Sequence, residues 1–154
     1  MKLAVIIPVY NAENTIRKAV KSIDTTHDVE IICINDGSTD RTKQVLTELQ
    51  KEVKHLIVYH QDNQGAAKSR NMGLSAMSDD IDAFMFLDAD DQFLPGKMDQ
   101  MIQYYEKNDY LDIVIGQIGR GMNGDWKIIP THEDMHREAM VSLAEAPEIL
   151  QSIG

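Results

Sequence analysis

Apolar positions along the chain change period in a regular way. "KLAVIIPVY" (2–10) is a short, β-branched run of the kind that forms a strand buried on both faces. From Asn11 to Ile23 the apolar residues Ile16, Ala19, Val20 and Ile23 fall at helical spacing. "VEIICIN" (29–35) predicts a second buried strand, "DGSTD" a turn in which Ser38 or Thr39 caps the next helix, and Val45, Leu46, Leu49 and Val53 one face of that helix. "HLIVYH" (55–60) predicts a third strand, and "NQGAAKSRNMGLSAM" (63–77) a loop entering a helix. "AFMFLDAD" (83–90) predicts a fourth strand, "PGKMDQMIQYYEKN" (95–108) a helix with Pro95 near its first turn, and "DIVIGQI" (112–118) a fifth strand.

Strands alternating with helices predict an α/β fold: a Rossmann-like, mostly parallel sheet with helices on both faces. Beyond residue 118 the pattern changes. "GRGMNGDWKII" predicts a hairpin, "THEDMHREAM" is polar and indistinct, and "SLAEAPEILQSIG" is a marginal helix. With no repeats or linkers, residues 1–154 are expected to form a single domain. Ligands of such sheets bind beyond the carboxyl ends of the strands, where the strand order reverses. Three polar clusters fall at predicted strand ends: "PVYN" (8–11), "NDGSTD" (35–40) and "DADD" (88–91).

Charge narrows what could bind there. A formal net charge of −10 argues against a nucleic-acid partner, because nothing neutralises a phosphate backbone. A phosphorylated ligand would need a local cation, and a metal ion is one source. The single cysteine, Cys33, lies in an apolar run and reads as a core residue, in keeping with a reducing cytoplasm. No apolar stretch approaches the roughly 20 residues of a membrane helix.

The acidic cluster offers the most specific chemistry. Asp88 and Asp90 are two apart, so in an extended segment they share a face and can converge on one ion. Oxygen-only ligands suit Mg²⁺ or Mn²⁺, while a solvated acidic turn is the plainer alternative. A calcium loop beginning at Asp88 would place Phe93 where glycine is needed and Asp99 at the position of the bidentate Glu. "GRGMNG" (119–124) matches the dinucleotide fingerprint in letters, but "DWKII" after it reads as a strand where that motif needs a helix. "HEDMH" (132–136) has zinc-protease spacing, but Pro130 precedes it, charged residues surround it and only 18 residues remain to supply a third ligand, so it reads as a solvated loop or helix start. For Asp36, an Asx-turn or cap and an acceptor for a nucleobase N–H are both open, and for Arg70 an acidic neighbour or a ligand.

Taken in order, "VIIPVYNAENTI", "IICINDGSTDRT", "NQGAAKSRNMGL" and "FLDADDQF" resemble the N-terminal, donor-binding half of the family 2 glycosyltransferases, inverting enzymes of the GT-A fold. The resemblance runs from about residue 3 to about residue 118. It implies that Pro8, Val9, Tyr10 and Asn11, with Glu13 just beyond, line a nucleotide pocket. It also implies that Asp36 contacts the base and that Arg70 reaches the same nucleotide. In "DAD", it implies that Asp88 and Ala89 adjoin the donor, with Asp88 near the ribose and metal, and that Asp90 ligates a Mg²⁺ or Mn²⁺ bridging the diphosphate.

The implied partners are a nucleotide-diphosphate sugar and a carbohydrate or glycoconjugate acceptor. The implied reaction is inverting transfer to a hydroxyl in cell-surface polysaccharide or glycoconjugate synthesis, in the cytoplasm or at the inner membrane face. The family pattern continues past "EILQSIG", so the chain reads as truncated at its C-terminus and the general base is expected beyond residue 154. A non-catalytic nucleotide-sugar-binding module is the alternative. A receiver-type signalling domain lacks its Lys in "DIVIGQIG", and a nucleotidyltransferase its basic, glycine-rich phosphate loop.

Overall fold

Each apolar run identified as a buried strand in the first 61 residues pairs with another in parallel. The computed structural model describes residues 1–108, 119–122 and 125–128. Strands β1 (Lys2–Val9), β2 (Asp28–Asp36), β3 (Leu56–Gln61) and β4 (Ala83–Phe86) form one sheet in the order β3-β2-β1-β4. The helices between them are α1 (Ile16–Lys21), α2 (Thr42–Glu52) and α3 (Ala66–Ala76), followed by α4 (Lys97–Glu106). All three strand pairings are parallel, with Ile6 of β1 beside both Ile32 of β2 and Phe86 of β4. The chain thus steps outward from β1 to β2 to β3 and then crosses back to β4, so the order reverses at β1. Right-handed crossovers in opposite directions place α1 and α2 on one face of the sheet and α3 on the other.

The central strands are buried on both faces, as their unbroken apolar runs predict: Leu3 to Ile7 and Ile31 to Ile34 are all buried. On the α3 face Ile6, Ile32 and Ile34 form a cluster beneath Tyr59, Met72, Leu74 and Met77. The buried positions of α3 are small, Ser69 and Gly73. A Cβ at Gly73 would overlap Ile6 Cγ2, so the glycine lets this helix lie directly on β1. Cys33 is buried, and burial pushes its thiol pKa well up.

Three elements differ in extent from their sequence patterns. Helix α1 begins at Ile16 rather than at Asn11, because Asn11 adopts a left-handed φ of 49° that no helix can contain. Neither Ser38 nor Thr39 caps α2; Asp40 Oδ1 accepts the Thr42 N–H at 2.9 Å. Strand β4 ends at Phe86, and the acidic residues follow in a turn closed by the Asp91 N–H on the Asp88 carbonyl at 3.0 Å.

Two compact units divide the chain, residues 1–98 and 99–154. Within the second, β5 (Gly119–Met122) and β6 (Asp125–Ile128) pair antiparallel, which confirms the hairpin and removes the helix that a dinucleotide fingerprint at 119–124 requires. The predicted strand 112–118, "HEDMH" and the marginal C-terminal helix lie outside the described residues. Among the described residues no helix is long and apolar enough to cross a membrane.

Candidate functional site

At the reversal point, the carboxyl ends of β1 and β4 diverge and leave a cleft of about 400 Å³ within the first unit. Pro8, Val9, Tyr10 and Asn11 line one side, Asp88, Ala89 and Asp90 another, and Asp36, Ser69 and Arg70 complete the wall. Pro8 suits this position. The carbonyl of Ile6 points toward β4, where it accepts the Leu87 N–H at 3.1 Å, and residue 8 points the same way. The β1–β4 pairing has ended by then, so the missing N–H of Pro8 leaves no ladder bond unmade.

The loop after β1 is fastened to the loop after β2. Asn11 donates its N–H to Ser38 Oγ at 3.0 Å, and its Oδ1 accepts the Thr39 N–H at 2.8 Å. Ala12 donates to Thr42 Oγ1 at 2.8 Å, and Glu13 to Asp40 Oδ2 at 3.2 Å. These bonds hold the left-handed Asn11, whose short polar side chain tolerates that conformation. Glu13 takes part in this fastening and does not line the cleft; its Oε2 accepts the Arg41 N–H at 2.8 Å.

Asp36 ends β2 and is buried, with 3% of its surface exposed. Burial on its own would raise its pKa. Hydrogen bonds from Gln61, from the N–H groups of Gln64 and Gly65 and from Ser69 outweigh that cost and hold it below the usual carboxylate range. Asp36 is therefore an ionised acceptor at the start of α3, serving the turn as well as the cleft.

Arg70 projects from α3 to Asp88, Nη2 to Oδ1 at 2.6 Å, with its guanidinium 5.8 Å from the centroid of the Phe86 ring. Phe86 in turn meets Phe84 edge to face at 5.4 Å. Leu87 and Ala89 are buried while Asp88 and Asp90 are exposed, so the two carboxylates share one side of the segment. Asp91 is pushed above the usual carboxylate range by burial and then by its neighbours Asp90 and Asp88. Among the described residues, these three aspartates do not bring three oxygens within reach of one ion. Two exposed carboxylates fit a Mg²⁺ or Mn²⁺ that completes its shell with water and phosphate oxygens.

Every residue expected at the nucleotide pocket except Glu13 lies on this one cleft. Ala12, Thr15, Ala66 and Ser69 also line it and carry no signal in the sequence. Ser69, fully buried, stands one helical turn after Gly65 and donates to its carbonyl at 3.2 Å.

The comparisons with known proteins converge on this architecture. The model of glycosyl transferase family 2 matches residues 4–150. TagX of Staphylococcus aureus, which bears a glycosyltransferase name, is 38% identical over 154 residues, covering 97% of this chain and 44% of that protein. An uncharacterized glycosyltransferase of Nostoc sp. (strain PCC 7120) is 35% identical over 125 residues, covering 75% of this chain and 38% of its own length. The chain thus spans less than half the length of these relatives. Among solved structures, S. aureus TarS 1–349 in complex with UDP superposes with a TM-score of 0.66 at 26% identity, over 81% of this chain and 37% of that one.

Proposed function

Because the chain belongs to glycosyl transferase family 2, we propose that its cleft binds a nucleotide-diphosphate sugar for inverting, metal-assisted transfer to an acceptor hydroxyl. The acceptor class is a cell-surface polysaccharide or glycoconjugate, and the setting is the cytoplasm. The observation that carries the reading is the convergence of Asp36, Arg70, Asp88 and Asp90 on one cleft where the strand order reverses. Uridine is the nucleoside of choice, since the TarS structure of similar fold holds UDP.

Each side chain has a part that its position supports. Asp36, ionised and acceptor-only, takes an N–H of the base. Pro8 to Asn11 give the nucleoside a rigid wall, fastened through Asn11 to the β2–α2 loop. Arg70, shelved on Phe86, brings positive charge to an otherwise acidic site. Asp88 and Asp90 hold a divalent cation, with Ala89 between them against the donor. When bound, that cation stabilises negative charge on the departing nucleoside diphosphate. None of the cleft residues is given the general-base role.

Calorimetric titration of UDP, GDP, CDP and dTDP with and without Mn²⁺ tests the reading. Metal-dependent binding of UDP, lost in Asp90→Ala, is expected. Equal binding with and without metal, or none of any nucleotide, would overturn it.

A further inference from the structure

Asp88 stands between two cations. The structure pairs it with Arg70, Nη2 to Oδ1 at 2.6 Å, and the proposed function gives it a share of a divalent metal. The guanidinium lies 5.8 Å from the centroid of the Phe86 ring, on the strand end that leads into the acidic turn. Asp90 is exposed on the same side of the segment as Asp88. A metal ion held by these two carboxylates therefore has a second positive charge on one of its own ligands.

Two cations on one carboxylate repel each other. Even at the dielectric constant of water, a doubly charged ion roughly 6 Å from a guanidinium binds about tenfold more weakly than it does without that neighbour, and salt screens part of the effect. A diphosphate reverses the sign. Its oxygens accept from the guanidinium and ligate the metal, so both cations gain a shared anion. The guanidinium carries five N–H donors in a fixed fork, so one arginine can serve Asp88 and a phosphate oxygen together.

We infer that Arg70 couples the two ligands of this cleft: it disfavours a divalent cation bound alone at Asp88 and Asp90 and favours the same cation bound with a nucleoside diphosphate. By linkage, metal and nucleotide then strengthen each other's binding by one common factor, and that factor falls when Arg70 is replaced. The inference rests on the proposed donor site and its metal.

The test measures two affinities on the full chain and on Arg70→Gln at low ionic strength. Electron paramagnetic resonance, which counts unbound Mn²⁺, reads the metal alone, and calorimetry reads UDP at saturating Mn²⁺. Arg70→Gln is expected to bind Mn²⁺ alone about three- to tenfold more tightly than the wild type, and UDP about ten- to a hundredfold more weakly. The opposite signs are the signature, since a site that is merely loosened loses both. Arg70→Lys, which keeps the charge, is expected to bind Mn²⁺ alone as the wild type does. Asp90→Ala added to Arg70→Gln should abolish the tighter Mn²⁺ binding. Mn²⁺ affinity unchanged or lowered in Arg70→Gln, raised equally in Arg70→Lys, or retained without Asp90 would each overturn the inference, as would undiminished UDP binding by Arg70→Gln. All four leave the donor reading standing if wild-type UDP binding depends on Mn²⁺. A wild type without that dependence brings down both.

Discussion

Arg70 and Asp88 form an ion pair at 2.6 Å that joins helix α3 to the turn after β4, across the mouth of the cleft. Phe86, two residues before Asp88, lies beneath the same guanidinium. One strand end thus supplies both the counter-charge and the shelf that aim this arginine. The pair is partly exposed, so it contributes little to stability and its importance is electrostatic.

Arg70→Ala is therefore expected to separate binding from folding. An exposed pair of this kind contributes about 0–1 kcal/mol, so the urea midpoint should move little. Affinity for UDP should fall about ten- to a hundredfold if the guanidinium donates to the diphosphate. Arg70→Lys should recover only part of that affinity, because an ammonium retains the charge but not the flat face that lies on Phe86. Parallel calorimetry and denaturation decide the matter; a large loss of stability with unchanged affinity would make Arg70 a structural residue.

Gly73→Ala should do the reverse. The added methyl overlaps Ile6 Cγ2 at the centre of the sheet, so the helix or the isoleucine must move. Overpacking of this sort costs typically about 1–3 kcal/mol, and the Cγ2 overlap puts this site at the upper end, above the roughly 1 kcal/mol that alanine returns in helix propensity. Chemical denaturation should show that loss, and in the double variant Ile6→Ala with Gly73→Ala the two losses should combine to less than their sum, because the Cγ2 that the new methyl overlaps is gone. Full additivity would place the strain elsewhere.

How much of this was legible in the sequence follows the range of the interactions. The strands β1 and β2 show in their unbroken β-branched runs because burial on both faces leaves no room for polar positions. The cleft residues show because a parallel sheet gathers its strand ends at one edge. The start of α1 does not show, since the left-handed turn at Asn11 depends on Ser38 and Thr39 from the next loop. The acceptor at the start of α2 does not show either, because Ser38 and Thr39 are engaged by Asn11 and the Thr42 N–H goes to Asp40. The bond from the Arg41 N–H to Glu13, which the resemblance puts just beyond the pocket residues, does not show either, since it joins two loops distant in sequence. Gln61 carries no signal at all, because its meaning is set by the β2–β3 register that pairs it with Asp36.

Asp36 joins the site to the stability of the fold, and pH should expose the link. Its folded pKa lies below the ordinary carboxylate value of about 3.9, so the unfolded chain takes up the proton first as pH falls. Its contribution is therefore fully present above that value and is lost as pH drops through the lower folded pKa. Asp36→Asn retains a carbonyl acceptor but has no charge to lose. Its NH₂ group must also face one of the donors now held by the carboxylate, the Gln61 amide or the Gln64 and Gly65 N–H groups. At pH 7 the variant is expected to be less stable than the wild type by about 1–3 kcal/mol, the cost of leaving a buried donor unpaired. The difference should shrink as pH falls below about 4, because only the wild type loses stability through this group. Urea unfolding of both proteins between pH 7 and pH 3 provides the check, with a pH-independent gap as the outcome that would detach Asp36 from the acid limb.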